Sequence, residues 1–136
     1  MATGLFEFYD GELVKYHNYE HSPISFVVGL EGHVNYQMVT SLLYSKTGDL
    51  YVANSESINN ILLKLDSNNN WTEIDKFNPT EGNENLKFMS IDSENKLWIY
   101  SDYWNHTAVY SYDLSTDKLT EYSNFVNEDG AIISNV

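Results

Sequence analysis

The strongest constraint on this 136-residue chain is that it repeats itself: Met38 to Phe77 is restated, almost position for position, from Leu86 to Phe125. Gly48-Asp49-Leu50-Tyr51-Val52 aligns with Asn95-Lys96-Leu97-Trp98-Ile99, and Leu63-Lys64-Leu65-Asp66 aligns with Tyr110-Ser111-Tyr112-Asp113. Trp71-Thr72-Glu73-Ile74 then aligns with Leu119-Thr120-Glu121-Tyr122; the offset is 47 residues at the first two anchors and 48 at the third. A period of this length, made of short strands, specifies units that bury their apolar faces by stacking on one another. Propeller blades are the leading architecture of that kind.

Partial copies flank the two full ones. Phe8-Tyr9-Asp10 corresponds to Ser111-Tyr112-Asp113, and Leu13-Val14-Lys15-Tyr16 to Leu119-Thr120-Glu121-Tyr122, so the opening segment matches only the second half of a unit. Ala131 to Val136 reads as the first strand of a further one. The expected organisation is a half blade over 1–18, an irregular connection over 19–35, blades over 36–77 and 86–125, and the start of another blade over 131–136. Such a chain reads as a segment of a larger ring, or as a unit that closes by strand exchange between copies.

Each full copy resolves into four strands. The first is Met38 to Leu43, repeated as Leu86 to Ile91, and a turn of residues that tolerate positive φ follows: Ser45-Lys46-Thr47-Gly48, or Ser93-Glu94-Asn95. The second, Leu50 to Ala53 or Leu97 to Tyr100, is an uninterrupted apolar run, which predicts burial on both faces. A longer loop is expected over Asn54 to Asn60 and over Ser101 to Thr107. The third strand alternates (Ile61, Leu63, Leu65; Val109, Tyr110, Tyr112), and the fourth, Trp71 to Phe77 or Leu119 to Phe125, is polar on one side as an outermost strand should be. Tyr51, Trp71 and Trp98 sit at repeat anchors and are assigned to packing. No segment carries a helical period, and Ile24 to Val28 predicts one extra strand inside the irregular connection. The fold class is all-β.

Composition narrows the function classes. The aromatic content (11 Tyr, 6 Phe, 3 Trp) is that of a folded chain with a core, not of a disordered one. Seven basic residues against 20 acidic ones leave a formal charge of −13, which opposes binding to nucleic acid or to an anionic membrane surface. Absence of cysteine removes disulfide and thiolate chemistry, and no apolar run approaches the length of a membrane span. The first residues show neither a basic n-region nor an apolar h-region.

The repeats resemble the two-component-regulator propeller repeat, whose pattern is a hydrophobic strand, Asp-x-x-Gly, a Leu-Trp-Ile/Val core, Gly-Leu, an aromatic-Asp pair and a polar strand ending in Tyr. Ile91-Asp92-Ser93-Glu94-Asn95-Lys96-Leu97-Trp98-Ile99 carries the first part, with Asn95 in the glycine position. Thr3-Gly4-Leu5-Phe6, followed by Tyr9-Asp10-Gly11, carries the second, and Tyr16 to Ile24 resembles the connection between blades. The two full copies depart from the pattern in lacking Gly-Leu after the second strand. The resemblance implies an extracytoplasmic sensor of a bacterial two-component system, periplasmic or at the cell surface, binding a glycan-like or protein ligand without catalysis or cofactor.

Motifs for other chemistry are weak. His17 and His21 stand four apart, next to Pro23 and outside any His-Glu-x-x-His pattern, so they do not specify zinc. Asp66-Ser67-Asn68-Asn69-Asn70 starts like a calcium loop, but Trp71 takes the glycine position and Phe77 that of the bidentate Glu; it is assigned to a hairpin turn. No nucleophile elbow, phosphate loop or dinucleotide fingerprint is present. The best candidate for ligand binding is Asp102-Tyr103-Trp104-Asn105-His106, where aromatic faces and hydrogen-bonding groups suit a sugar. Two other classes remain: part of a propeller lyase or hydrolase whose catalytic residues lie elsewhere, and a self-assembling scaffold unit completed by copies of itself.

Overall fold

A computed structural model of the chain describes residues 4–27, 29, 30, 32, 33, 36–59, 61–77, 85–103, 106–123 and 128–130, and of Tyr103 and His106 the backbone alone. Ten strands form it, with no helix among the described residues: β1 (Leu5–Tyr9), β2 (Glu12–His17), β3 (Val39–Tyr44), β4 (Leu50–Asn54), β5 (Leu62–Leu65), β6 (Trp71–Ile74), β7 (Leu86–Ile91), β8 (Lys96–Tyr103), β9 (His106–Asp113) and β10 (Lys118–Tyr122). β1 and β2 pair as a hairpin, while β3 to β6 and β7 to β10 form two four-stranded antiparallel meanders in chain order. The architecture is all-β and consistent with propeller-like blades. The hairpin supplies half a unit, β3–β6 the first blade and β7–β10 the second; the segment 131–136 lies outside the described residues.

Local chemistry at the turns sets the register. Asp92 Oδ1 accepts the N–H groups of Glu94 (2.9 Å) and Lys96 (2.9 Å), which closes the β7–β8 turn. Asp66 Oδ1 does the same for Asn68 (2.8 Å) and Asn70 (2.9 Å) between β5 and β6. Within these turns Asn69 (φ 63°) and Asn95 (φ 65°) occupy the left-handed region, as does Gly48 (φ 87°) in the β3–β4 turn. Asn is the residue after Gly that tolerates this backbone, so Asn95 serves in the glycine position of the repeat pattern. Gly4 is demanded differently: it has φ 114°, and a Cβ there would collide with the carbonyl of His17.

The repeat extends to an irregularity. Register shifts between Val39 and Ser41 on β3 and between Leu86 and Phe88 on β7, positions one repeat apart. Each first strand therefore carries a bulge at the same place, which re-aims one residue, Thr40 or Lys87.

Packing follows from the period-two alternation of strands. On β4, Tyr51 and Ala53 face the second blade, where they join Leu62, Ile74 and Phe77 against Leu97, Ile99, Tyr110 and Tyr112. The intervening Leu50 and Val52 face the other way and pack with Leu63, Leu65 and Ile24 beside Leu5 and Trp71. All five residues of β4 are buried as a result. β8 is buried on one face only, through Leu97, Ile99 and Ser101, because no described residue packs a sheet on its other side. The stacking order is hairpin, first blade, second blade.

Polar groups lock this seam. The Leu86 carbonyl accepts the hydroxyls of Thr40 and of buried Ser55 (2.6 Å), tying β7 to the first blade. Tyr112 donates to Asp117 Oδ1 at 2.5 Å, and Lys76 of the first blade reaches Asp117 Oδ2 at 2.8 Å. Phe77 lies beyond the end of β6, which stops at Ile74, and owes its burial to an edge-on contact with Tyr110 at 5.0 Å.

The connection before β3 corrects one expectation. Ile24 to Val27 forms no strand; it contributes a single bridge, Val27 to Ser57, yet Ile24 is fully buried. Asn54 explains the difference. Its Oδ1 accepts the Ser25 N–H at 2.7 Å, and its Nδ2 donates to the carbonyls of Ser25 and Met38, both at 3.2 Å. One side chain thereby satisfies the backbone that a neighbouring strand would have satisfied.

Two outcomes test this account. Asn54→Ala leaves buried backbone groups unmet and is expected to cost about 3 kcal/mol in urea or thermal unfolding; a loss under about 0.5 kcal/mol would remove Asn54 from its anchoring role. The second concerns acid. Asp92 is held below the usual carboxylate range by the Trp98 indole N–H and then by the Lys96 N–H, Asp66 by Asn70, and Asp113 by the N–H groups of Ser115 and Thr116. A depressed folded-state value adds stability that is complete above the unfolded value, about 3.9, and is lost as pH falls through the folded one. Melting temperature should drop steeply below about pH 4. Asp92→Asn should melt lower at neutral pH and show a shallower acid dependence; a profile parallel to wild type would contradict the assignment.

Candidate functional site

Two places gather the groups that bind ligands: the far end of the β8–β9 hairpin and a cleft between the β1–β2 hairpin and the first blade.

At the first, the structure replaces the expected loop over Ser101 to Thr107 with strand. β8 runs through Tyr103 and β9 begins at His106, with Asp102 opposite Thr107 and Tyr103 opposite His106. The long apolar-to-polar strand pairs to its tip, since every rung from Lys96–Asp113 outward finds a partner. Asp102 is half-buried; its Oδ1 accepts the Thr107 hydroxyl at 3.3 Å, its Oδ2 faces Lys87 Nζ at 3.6 Å, and its N–H donates to the Asn85 carbonyl at 3.1 Å. Trp104 and Asn105 lie outside the described residues. The candidate residues Asp102, Tyr103 and His106 are therefore gathered on the last two rungs of a tight hairpin.

The repeat gives Asp102 and Lys87 a specific meaning. One repeat earlier, the same two positions are Ser55 and Thr40, whose hydroxyls lie 2.7 Å apart and together hold the carbonyl of the next blade. The ion pair Lys87–Asp102 thus stands where the first blade grips its neighbour.

The cleft has a volume of about 370 Å³ and is lined by the edge of β1 (Leu5, Phe6, Glu7, Phe8), by His17, by Leu42 and Tyr44 of β3, and by Leu50, Leu65 and the Asp66–Asn69 turn. It lies between the edge strand β1 of the two-stranded hairpin and the side of the first blade nearest β3. Phe8 (63% exposed) and Tyr44 (67%) offer ring faces to it. His17 is the polar element at its base: 1% exposed, its Nε2 3.2 Å from Glu7 Oε2, its ring edge-on to Trp71 at 5.3 Å. Its Nδ1 is buried and finds no hydrogen-bond partner among the described residues. His21 is separate, on the surface beside Glu20. Among the described residues no group of three or more His, Asp or Glu is placed to hold a metal ion.

Sequence reasoning weighed His17 only as a metal ligand and did not find the cleft. Its lining comes from residues scattered between Leu5 and Asn69, a grouping that no local motif displays.

No family model, no curated protein and no solved structure matches the chain.

Proposed function

We propose that the chain is a non-catalytic binding module: a run of propeller blades of the kind that builds extracytoplasmic sensors of bacterial two-component systems, at the periplasm or cell surface. Its ligand is a neutral glycan, and the cleft is the surface that holds it. The cleft's chemistry carries the proposal. The rings of Phe8 and Tyr44 suit the apolar face of a sugar, and Glu7 and the Asn69 amide suit its hydroxyls. A formal charge of −13, with Glu7 and Asp66 at the cleft itself, disfavours anionic ligands. Asp66 is tied to its own turn, where the N–H groups it accepts hold its carboxyl below the usual carboxylate range.

The sequence Tyr103-Trp104-Asn105-His106 has similar residue chemistry and is the alternative candidate, and the same experiment separates the two. Calorimetric titration with soluble neutral oligosaccharides should give saturable binding. Phe8→Ala and Tyr44→Ala should each weaken it by about 5- to 10-fold, the worth of one lost ring contact. Trp104→Ala should leave it unchanged. A loss confined to Trp104→Ala moves the site to the hairpin tip, and no saturable binding by the wild-type chain overturns the glycan reading.

A further inference from the structure

The outer face of the second blade is an interrupted copy of an interface the molecule already makes. Tyr51, Ala53, Leu62 and Ile74 of the first blade press against the second. One repeat later the same positions are Trp98, Tyr100, Val109 and Tyr122, and they share the opposite side of the second blade with Phe88. Two stacked ring pairs pave that side: Phe88 with Tyr100 at 6.2 Å and Trp98 with Tyr122 at 5.9 Å. Phe88 is 69% exposed and Tyr122 45%, whereas Ile74, the first-blade counterpart of Tyr122, is buried against the second blade, and the counterpart of Phe88 is the small Ser41. At the edge of the face stands the Lys87–Asp102 pair, in the place where Thr40 and Ser55 hold the Leu86 carbonyl.

We infer that this face is an assembly surface whose occupant is the opening hairpin of a second copy of the chain, so that copies stack head to tail. The partner is argued from the two ends of the stack. The hairpin lies on one side of the first blade and the second blade on the other, so the hairpin and the aromatic face are at opposite ends. The hairpin presents Phe6, Leu13 and Val14 to solvent, and one carboxylate joins the ring pairs facing it, Asp92, which accepts the Trp98 indole N–H at 2.8 Å. An antiparallel strand pair laid on a sheet face repeats the packing already present between blades. Lys87 supplies a donor where the first blade uses hydroxyls, directed at a backbone carbonyl of the arriving strand. Because the two surfaces differ, the contact is heterologous and propagates to a ring or a filament. The net charge of −13 works against association, so salt should strengthen it. This goes beyond the ligand reading, and Phe88 and Val14, which test it, both lie outside the cleft, so failure of either proposal leaves the other standing.

Sedimentation velocity with the full chain over a wide concentration range, at low and high salt, is the test. Wild type should gain mass with concentration, and more readily in salt. Phe88→Glu and Val14→Glu, both at exposed positions and checked for wild-type circular dichroism, should each weaken association by at least about tenfold. Mixed at equal amounts, the two variants should form a dimer that grows no further, because each retains the surface the other lost. A wild-type chain that stays monomeric at every concentration and salt overturns the proposal. So does association in Val14→Glu alone that equals wild type, since two aromatic faces would then be pairing with each other.

Discussion

Everything in this molecule depends on a strand that has to be apolar on both sides. β4 alternates Leu50 and Val52 toward the hairpin with Tyr51 and Ala53 toward the second blade, and no polar side chain intervenes until Asn54. The first blade is consequently the middle layer of a stack, and its two faces organise the elements on either side. At roughly 25 cal/mol per Å² of apolar area, such double burial is the dominant favourable term available to a chain of this size. It also explains why the two blades differ in spite of their matching sequences. β8 has the same alternation, but only its Leu97 and Ile99 face is covered, and the uncovered positions have become large aromatics, Trp98 and Tyr100, in place of Tyr51 and Ala53.

Legibility in the sequence followed the repeat closely. The second-blade strand Leu86–Ile91 has the extent the alignment implies, and Asn95 adopts the positive φ that its place in the glycine position requires. The repeat also contained a device that strand patterns alone do not display, the paired bulges at Thr40 and Lys87. What escaped was decided by side chains acting on distant backbone. Ile24 to Val28 has the composition of a strand, but Asn54, 29 residues beyond Ser25, supplies the hydrogen bonds a ladder would have supplied. Ser101 to Thr107 has the composition of a loop, with Asp, Asn and His among its residues, but the pairing of β8 with β9 continues outward to Tyr103 and His106. Cross-strand pairing overrides the local preference of such residues when each rung extends an existing ladder. Of the candidate site, Asp102 was legible only as one polar residue of a candidate stretch, and its partner Lys87 became visible through the bulge. The cleft beside His17 is formed by residues of β1, β3 and the Asp66 turn that are far apart in sequence, so no motif displays it.

The acidic character of the chain has a structural component that its net charge does not reveal. Asp66, Asp92 and Asp113 sit where strands reverse, and each accepts backbone N–H groups of its own turn. Asp117 takes a different part, joining Tyr112 of the second blade to Lys76 of the first. These carboxylates replace water as the acceptors for turn amides; Asp66 and Asp113 stand at the same point of the two blades, while the Ser45 hydroxyl takes in the first blade the place that Asp92 has in the second. A protein built from such turns accumulates negative charge with every repeat added, whatever its ligand. That charge acts against contact between copies, and most strongly at low ionic strength. Stacking within the chain escapes this repulsion, because the connections hold the sheets together at high effective concentration. Stacking between chains would not, so the acidity that the turns demand weighs on contacts between copies and spares the contact between the two blades.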